Sequence, residues 1–332
     1  MRPEIGTVGG VGLRERLAAL HEILLDMPRP TIPGRIEVAL PAVVAGDTTV
    51  RDVHLYAEPS ETGWKVASLG ATLPGRTTLE AKGDLAVGDG LGFDGSLLLA
   101  VGQPSGFAAW LARDVDDAIR RLPSAGFSAA VSLTPERQTF GDLELILGAA
   151  RFRGEIDSRT PAGARPSVAL RLDGDRLDVE GMAAFASLFV SDSGETRLAD
   201  RDVELAIVAG PVSAAGLTAD TLDTALRLKD GRLEIDRLAI GGLAGANVSA
   251  TGTLANLSGA MSGTLDASVI AADLAPLVAA LAERFPQNRL AREALRRADA
   301  YPGLYRDASV SVVASMAGGG GAARGLAREA GG

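Results

Sequence analysis

The stretch that decides the fold is residues 226–254, with the sequence LRLKDGRLEIDRLAIGGLAGANVSATGTL. Its Asp230-Gly231 pair is a typical hairpin turn signal. From Asn247 to Leu254 apolar and polar residues alternate with a period of two. Such alternation gives a strand one wet face and one apolar face, which is typical of antiparallel sheets. The stretch therefore predicts antiparallel strands joined by tight turns.

The same alternation recurs along most of the chain. It is found at residues 35–40, 78–85, 142–147, 167–172, 202–207 and 264–269. Asp94-Gly95 and Asp173-Gly174 are two more turn signals between these runs. Aromatic residues make up only 4% of the chain although hydrophobic residues make up 46%. A core poor in large rings is thin, and thin layers favour a sheet or an elongated repeat.

Helical spacing interrupts the strands at five places. A leading helix at 12–26 ends at a proline cluster that begins at Pro28. Ser105 is the expected cap of a helix that runs from Phe107 to Leu122, and Asp273 that of another. Further helices are predicted at residues 182–189 and 289–300.

These elements form a degenerate repeat of strand, strand and helix. Each copy carries a marker glycine inside its first strand, namely Gly83, Gly154 or Gly252. The separations differ, since 154 − 83 = 71 and 252 − 154 = 98. The unequal spacing indicates that the copies have drifted and gained insertions.

The run at 226–254, its continuation Gly263-Thr264-Leu265-Asp266 and the helix start at Asp273-Leu274 resemble the AsmA superfamily. Members of that family repeat a strand, the triplet DGR, a second strand, a glycine-rich turn and the motif ATG-x-L. The resemblance covers residues 34–316 and is strongest at 201–281.

The resemblance implies a mainly β fold with interspersed helices, an elongated, curled antiparallel β-sheet of degenerate repeats with an open apolar groove. It implies a non-catalytic protein of the bacterial periplasm that moves phospholipid in outer-membrane biogenesis. Its partners would be phospholipid and components of the inner and outer membranes, with no nucleic acid and no cofactor. Residues 1–6 lack the apolar core of a signal peptide, which by itself leaves two alternatives, a cytosolic protein or a fragment whose anchor lies upstream. The resemblance implies the second, with a tether to the inner membrane through an upstream segment.

The alternation assigns candidate residues to the groove, and the repeat assigns domains. A leading helix and proline-rich linker at 1–32 would precede a repetitive region at 33–316, and a glycine-rich disordered tail at 317–332 would follow. The sub-repeats would cover about 33–123, 124–198 and 199–300. The candidates for the apolar groove are Leu79, Leu85, Leu143, Leu145, Val203, Leu205, Leu233, Ile235, Val248 and Leu254.

Charge and rare residue types exclude several kinds of site. The net charge is −9 and no run of five basic residues occurs, so the chain lacks the positive footprint of a nucleic-acid binder. Without cysteine there are no disulfides, thiolate zinc sites or cysteine nucleophiles. The only two histidines, His21 and His54, are too few for a histidine-rich metal site. We therefore expect neither catalytic nor metal-binding residues.

Two other functional classes are weighed against lipid handling. A structural or adhesion-type β-repeat scaffold would have the same alternation, with a closed core and no ligand. A carbohydrate-active or hydrolytic enzyme would need clustered carboxylates and aromatic platforms, and two Trp and three Tyr make this the weakest alternative. The glycine-rich run at 88–95 is interpreted as a hairpin loop, because no helix follows it as a dinucleotide site requires.

Overall fold

The computed structural model describes residues 34–45, 48–87, 91–111, 115–190, 201–256, 262–284, 286–287, 289–301, 303–317 and 320–329. The predicted leading helix at 12–26 lies outside these residues. The strands are β1 Ile36–Ala45, β2 Thr48–Pro59, β3 Gly63–Leu73, β4 Thr77–Ala86, β5 Gly92–Val101, β6 Ala125–Leu133, β7 Arg137–Leu147, β8 Ala150–Arg159, β9 Ser167–Gly174, β10 Leu177–Asp178, β11 Asp202–Ala209, β12 Val212–Ala214, β13 Leu217–Ala219, β14 Thr221–Lys229, β15 Arg232–Leu243, β16 Ala246–Ala255, β17 Ser262–Asp273, β18 Arg306–Ala317 and β19 Gly320–Glu329. The helices are α1 Pro104–Leu111, α2 Asp117–Arg121, α3 Val179–Val190, α4 Ala275–Arg284 and α5 Arg289–Ala300.

The predicted fold class is confirmed, since the chain is mainly β with interspersed helices and a large sheet rich in antiparallel pairs. The chain divides into two compact units. Unit 1 comprises Met1–Arg151 and Gly181–Glu195, and unit 2 comprises Phe152–Glu180 and Thr196–Gly332.

In unit 1 the strands β1 to β7 pair antiparallel in sequence order. Residues that lie directly opposite each other on paired strands point to the same face of the sheet. The helices α1 and α2 and the part of α3 after Glu180 cover one end of the apolar face, where Val101, Phe107 and Ile119 are at most 3% exposed. A row across four strands on this face is Leu79, Leu99, Phe127 and Leu145.

In unit 2 the strand order is β8, β9, β11 and then β14 to β19. The pair β9–β11 is parallel, an exception within a sheet that is rich in antiparallel pairs. A parallel pair requires a crossover connection, and α3 lies between the two strands in the sequence. A small second sheet contains β10, β12 and β13.

The first and third copies of the predicted repeat have the same structure at a constant offset. The strand β3 starts at residue 63 and β15 at 232, while β4 starts at 77 and β16 at 246, and both differences are 169. A β-bulge lies between Val66 and Leu69 in β3 and between Ile235 and Leu238 in β15, again 169 residues apart. The second copy also has its strands and helix, as β8, β9 and α3.

Two of the marker glycines, Gly83 and Gly252, allow two strands to approach closely beside the bulge. Gly83 has φ 154° and Gly252 has φ 155°, a backbone region that is essentially restricted to glycine. A Cβ atom on Gly252 would clash with the carbonyl oxygen of Thr264, and one on Gly83 with that of Asp94. The repeated glycine is therefore a structural requirement of the strand pair.

We expect Gly252→Ala to lower the free energy of unfolding by about 1–3 kcal/mol, because the alanine must strain its backbone or push β17 away. The change is measured by urea denaturation followed by circular dichroism. Gly231→Ala is the control, since Gly231 also has a positive φ but a Cβ there meets nothing within 4 Å. Equal losses at the two positions would contradict the close-approach explanation.

Several local predictions need correction. Asp94-Gly95 lies in β5 and Asp173-Gly174 at the end of β9, instead of in turns. Gly95 faces the backbone of the neighbouring strand, and Gly174 faces an aromatic ring. Asp230-Gly231 does form the turn between β14 and β15. Residues 92–95 of the glycine-rich run likewise lie in β5, and residues 88–90 are outside the described part of the chain.

The helix predictions hold with changes at their ends. The helix expected from Phe107 to Leu122 is split into α1 and α2, and α1 begins at Pro104, so Ser105 is inside it and is not its cap. Asp273 does cap α4, because its Oδ1 accepts a hydrogen bond from the N–H of Ala275 at 2.9 Å. The predicted helices at 182–189 and 289–300 are α3 and α5.

The predicted disordered tail at 317–332 contains a strand. Residues 320–329 form β19, which pairs antiparallel with β18 over its whole length. The backbone of β18 offers hydrogen-bonding groups whatever side chains the partner strand carries, so a glycine-rich sequence can still pair there.

Candidate functional site

The most extensive candidate site is a band of aliphatic side chains on one face of the unit 2 sheet, which we call the aliphatic strip. It consists of two adjacent rows, each following residues that lie opposite one another on successive strands. The first row is Val168, Val203, Leu228, Leu233 and Leu254. The second row is Ile156, Leu170, Leu205, Leu226, Ile235 and Leu265, with Gly252 between the last two.

The strip is half-buried along its entire length. Every side chain in the two rows is intermediate in exposure, neither inside a closed core nor fully in water. One row further along the strands the side chains are buried, since Leu172 is 5% exposed and Ile207 is 9% exposed. The strip is therefore the part of the apolar face that other elements of unit 2 leave without full cover.

The cover of this face is confined to its other end. There Leu274, which immediately precedes α4, and Leu277, which lies within it, pack on Ala246 and Ala271 of the sheet. Val269 lies beside them. The small sheet also lies near, because β13 contacts β15. Ala246 is 0% exposed, as is Thr77 at the equivalent position of unit 1. In the first and third repeat copies a helix thus covers the same end of the apolar face.

The six unit 2 residues predicted for the groove share one face. Val203, Leu205, Leu233, Ile235 and Leu254 belong to the aliphatic strip. Val248 lies on the same face but at its covered end, directly opposite Val269.

The four predicted unit 1 residues are placed differently. Leu79 and Leu145 pack against the buried cluster beneath the helices, and Leu85 packs against the cluster around Trp64. Leu143 is 3% exposed. Leu79, Leu85 and Leu145 are half-buried like the members of the strip, but each of them borders a buried cluster of unit 1.

The opposite face of the unit 2 sheet carries charged side chains. Arg171 bridges Glu155 and Glu204, with N–O distances of 2.6 and 2.8 Å. Arg227 donates two hydrogen bonds to Asp236, which hold the pKa of that carboxyl below its ordinary value. Exposed ion pairs of this kind contribute little to stability. They mark this face of the sheet as the solvated one.

Sequence reasoning missed a hollow on the polar face of unit 1. It has a volume of about 610 Å³ and is lined by His54, Glu80, Lys82 and Asp142 among others. Asp142 has a positive φ of 47° at a β-bulge between β6 and β7. A bulge redirects side chains, and an aspartate in an alternating run gives no clear signal of one.

A metal site and a membrane-spanning helix each require particular features of the described part of the chain. There, no group of three or more His, Asp or Glu side chains is arranged to hold a metal ion. Among the described residues, none of the helices combines the length and the apolar character that crossing a bilayer requires. His54 lies on the polar face, with Nδ1 at 3.4 Å from the carbonyl oxygen of Asp52.

No protein-family model, curated protein or solved structure matches this chain.

Proposed function

We propose that the chain is a non-catalytic segment of an AsmA-type envelope protein, which binds or conducts phospholipid along the aliphatic strip during outer-membrane biogenesis. The observation that carries the proposal is the half-buried strip itself, together with the five residues in it that sequence alternation had assigned to a groove. The proposed setting is the bacterial periplasm, with attachment to the inner membrane through an upstream segment.

The chemistry of the strip suits an acyl chain. Its members are Val, Ile and Leu, which provide apolar area and no hydrogen-bonding groups. An acyl chain needs area alone, and each methylene that leaves water contributes about 0.8 kcal/mol. A two-chain lipid therefore gains binding energy in proportion to the length of strip it covers, with no special residue required.

The direct test is to express the chain in the bacterial envelope, purify it without detergent and extract it with organic solvent. We expect phospholipid to be recovered in a fixed ratio to protein. The same extraction of a β-sheet protein with a closed core, purified in parallel, gives the background. Recovery no higher than that background from a folded chain would rule out lipid binding by the strip.

The second candidate is a structural scaffold with a closed core. It is favoured by unit 1, where Leu79 and Leu145 pack on a buried cluster beneath the helices. It predicts that the half-buried side chains of unit 2 have no ligand, so the extraction experiment separates the two candidates.

A further inference from the structure

The helix α5 is unusual in this acidic chain because one of its faces is rich in arginine. The chain as a whole carries a charge of −9. The twelve residues of α5 include Arg289, Arg292, Arg296 and Arg297 against Glu293 and Asp299, a balance of 4 − 2 = +2. All four arginines are exposed.

The arginines lie on one side of the helix, and the apolar residues on the other. Positions three, four and seven apart fall on the same side of an α-helix, which aligns Arg289, Arg292 and Arg296. On the other side, Ala294 accepts a hydrogen bond from the hydroxyl of Tyr305 at 3.1 Å, and Tyr305 packs with the cluster beneath α4. The helix is therefore held to unit 2 by its apolar side and presents the arginines to solvent.

Two of the arginines are not neutralised by a described carboxylate. Arg296 and Arg297 both pair with Glu293, the latter at 3.1 Å. Neither Arg289 nor Arg292 forms an ion pair with a described residue. Both of these side chains are exposed.

Two exposed apolar side chains follow the C-terminal end of this helix. The N–H of Tyr301 donates to the carbonyl oxygen of Arg297 at 3.0 Å, so Tyr301 directly follows the last turn of the helix. Its side chain is 65% exposed, and Leu304 in the following turn is 39% exposed. Tyrosine next to basic residues is typical of protein segments that lie at the level of lipid headgroups.

We infer that α5 with Tyr301 and Leu304 is a docking surface for an anionic phospholipid bilayer. The arginines contact headgroup phosphates, and the tyrosine and leucine enter the interfacial region. The inference goes beyond the proposed function and does not depend on it, because docking uses solvent-exposed groups of α5 and not the aliphatic strip. The occupant is a membrane and not a nucleic acid, since the remainder of the chain is acidic and exposed apolar side chains follow the same helix.

The test is flotation of the full chain with vesicles of phosphatidylcholine, with and without a third of phosphatidylglycerol. We expect binding to the anionic vesicles alone, and its loss when salt is raised from about 0.1 M to about 1 M, because the screening length falls from about 10 to about 3 Å. The double variant Arg289→Gln/Arg292→Gln should reduce the partition coefficient on the order of tenfold. Tyr301→Ser should reduce it severalfold without changing the salt dependence.

The matched control is Lys229→Gln/Arg232→Gln, which removes the same charge from exposed positions beside the β14–β15 turn. We expect binding within twofold of the unmodified chain, with all variants folded by circular dichroism. Equal losses in the α5 variant and the control would overturn the inference, as would binding of a short DNA duplex as tight as that of anionic vesicles. Lipid extraction from the α5 variant separately reports on the strip, so failure of docking and failure of the proposed function are distinguishable.

Discussion

Leu254→Glu is expected to reduce the phospholipid recovered with the purified chain on the order of tenfold or more. Leu254 is at the end of the first row of the aliphatic strip, opposite Leu233. A carboxylate there must remain hydrated, which removes several methylenes of contact, and each contributes about 0.8 kcal/mol to lipid binding. The readout is phospholipid per chain by mass spectrometry after solvent extraction.

The matched control for Leu254→Glu is Thr264→Glu. Thr264 is exposed on the opposite face of the same sheet, one strand away. We expect its lipid content to equal that of the unmodified chain. Similar losses in both variants, or none in either, would contradict the assignment of the lipid to the aliphatic strip.

Phe107→Ala is expected to lower the free energy of unfolding of unit 1 by about 3–5 kcal/mol. Phe107 is 3% exposed, and its ring lies 5.8 Å from that of Trp110 in the cluster beneath α1. Removal of the ring leaves a cavity that the surrounding helices and strands cannot fill completely. Both tryptophans of the chain, Trp64 and Trp110, belong to unit 1, so urea denaturation followed by tryptophan fluorescence reports on this unit.

The control for Phe107→Ala is Leu98→Ala. Leu98 is 36% exposed and lines the hollow on the polar face of unit 1. We expect a loss of less than about 1 kcal/mol there. Comparable losses at the two positions would mean that α1 does not cover a tightly packed end of the apolar face.

The apolar face could be predicted from the sequence because a strand has a period of two. Leu233 and Ile235 lie on one face as their spacing requires, and Val248 and Leu254 lie on the same face of the paired strand. The bulge is harder to predict from the sequence. Because of it, Ile235 and Leu238 share a face at a spacing of three instead of two. Its sequence signal is the marker glycine on the partner strand, and the repeat pattern alone does not explain why that position is a glycine.

The cover of the face could not be predicted, because it depends on contacts between distant residues. Nothing in the local sequence of Leu145 distinguishes it from Leu205, yet the first packs beneath helices and the second is in the aliphatic strip. The parallel pair β9–β11 has the same origin, since alternation does not specify strand direction. The strand at 320–329 could not be predicted from its glycine-rich composition. It forms through backbone hydrogen bonds to β18, which do not depend on side chains.

The measurement that tests the central claim most directly is site-specific photo-crosslinking to phospholipid in cells that express the chain in their envelope. The photoreactive residue is placed at Leu205 or Leu233 in the aliphatic strip, and at Glu204 or Thr264 on the polar face. We predict lipid adducts at the first two positions and none at the other two. A folded chain without adducts at any of the four positions would contradict lipid binding and leave the closed scaffold as the account of this protein.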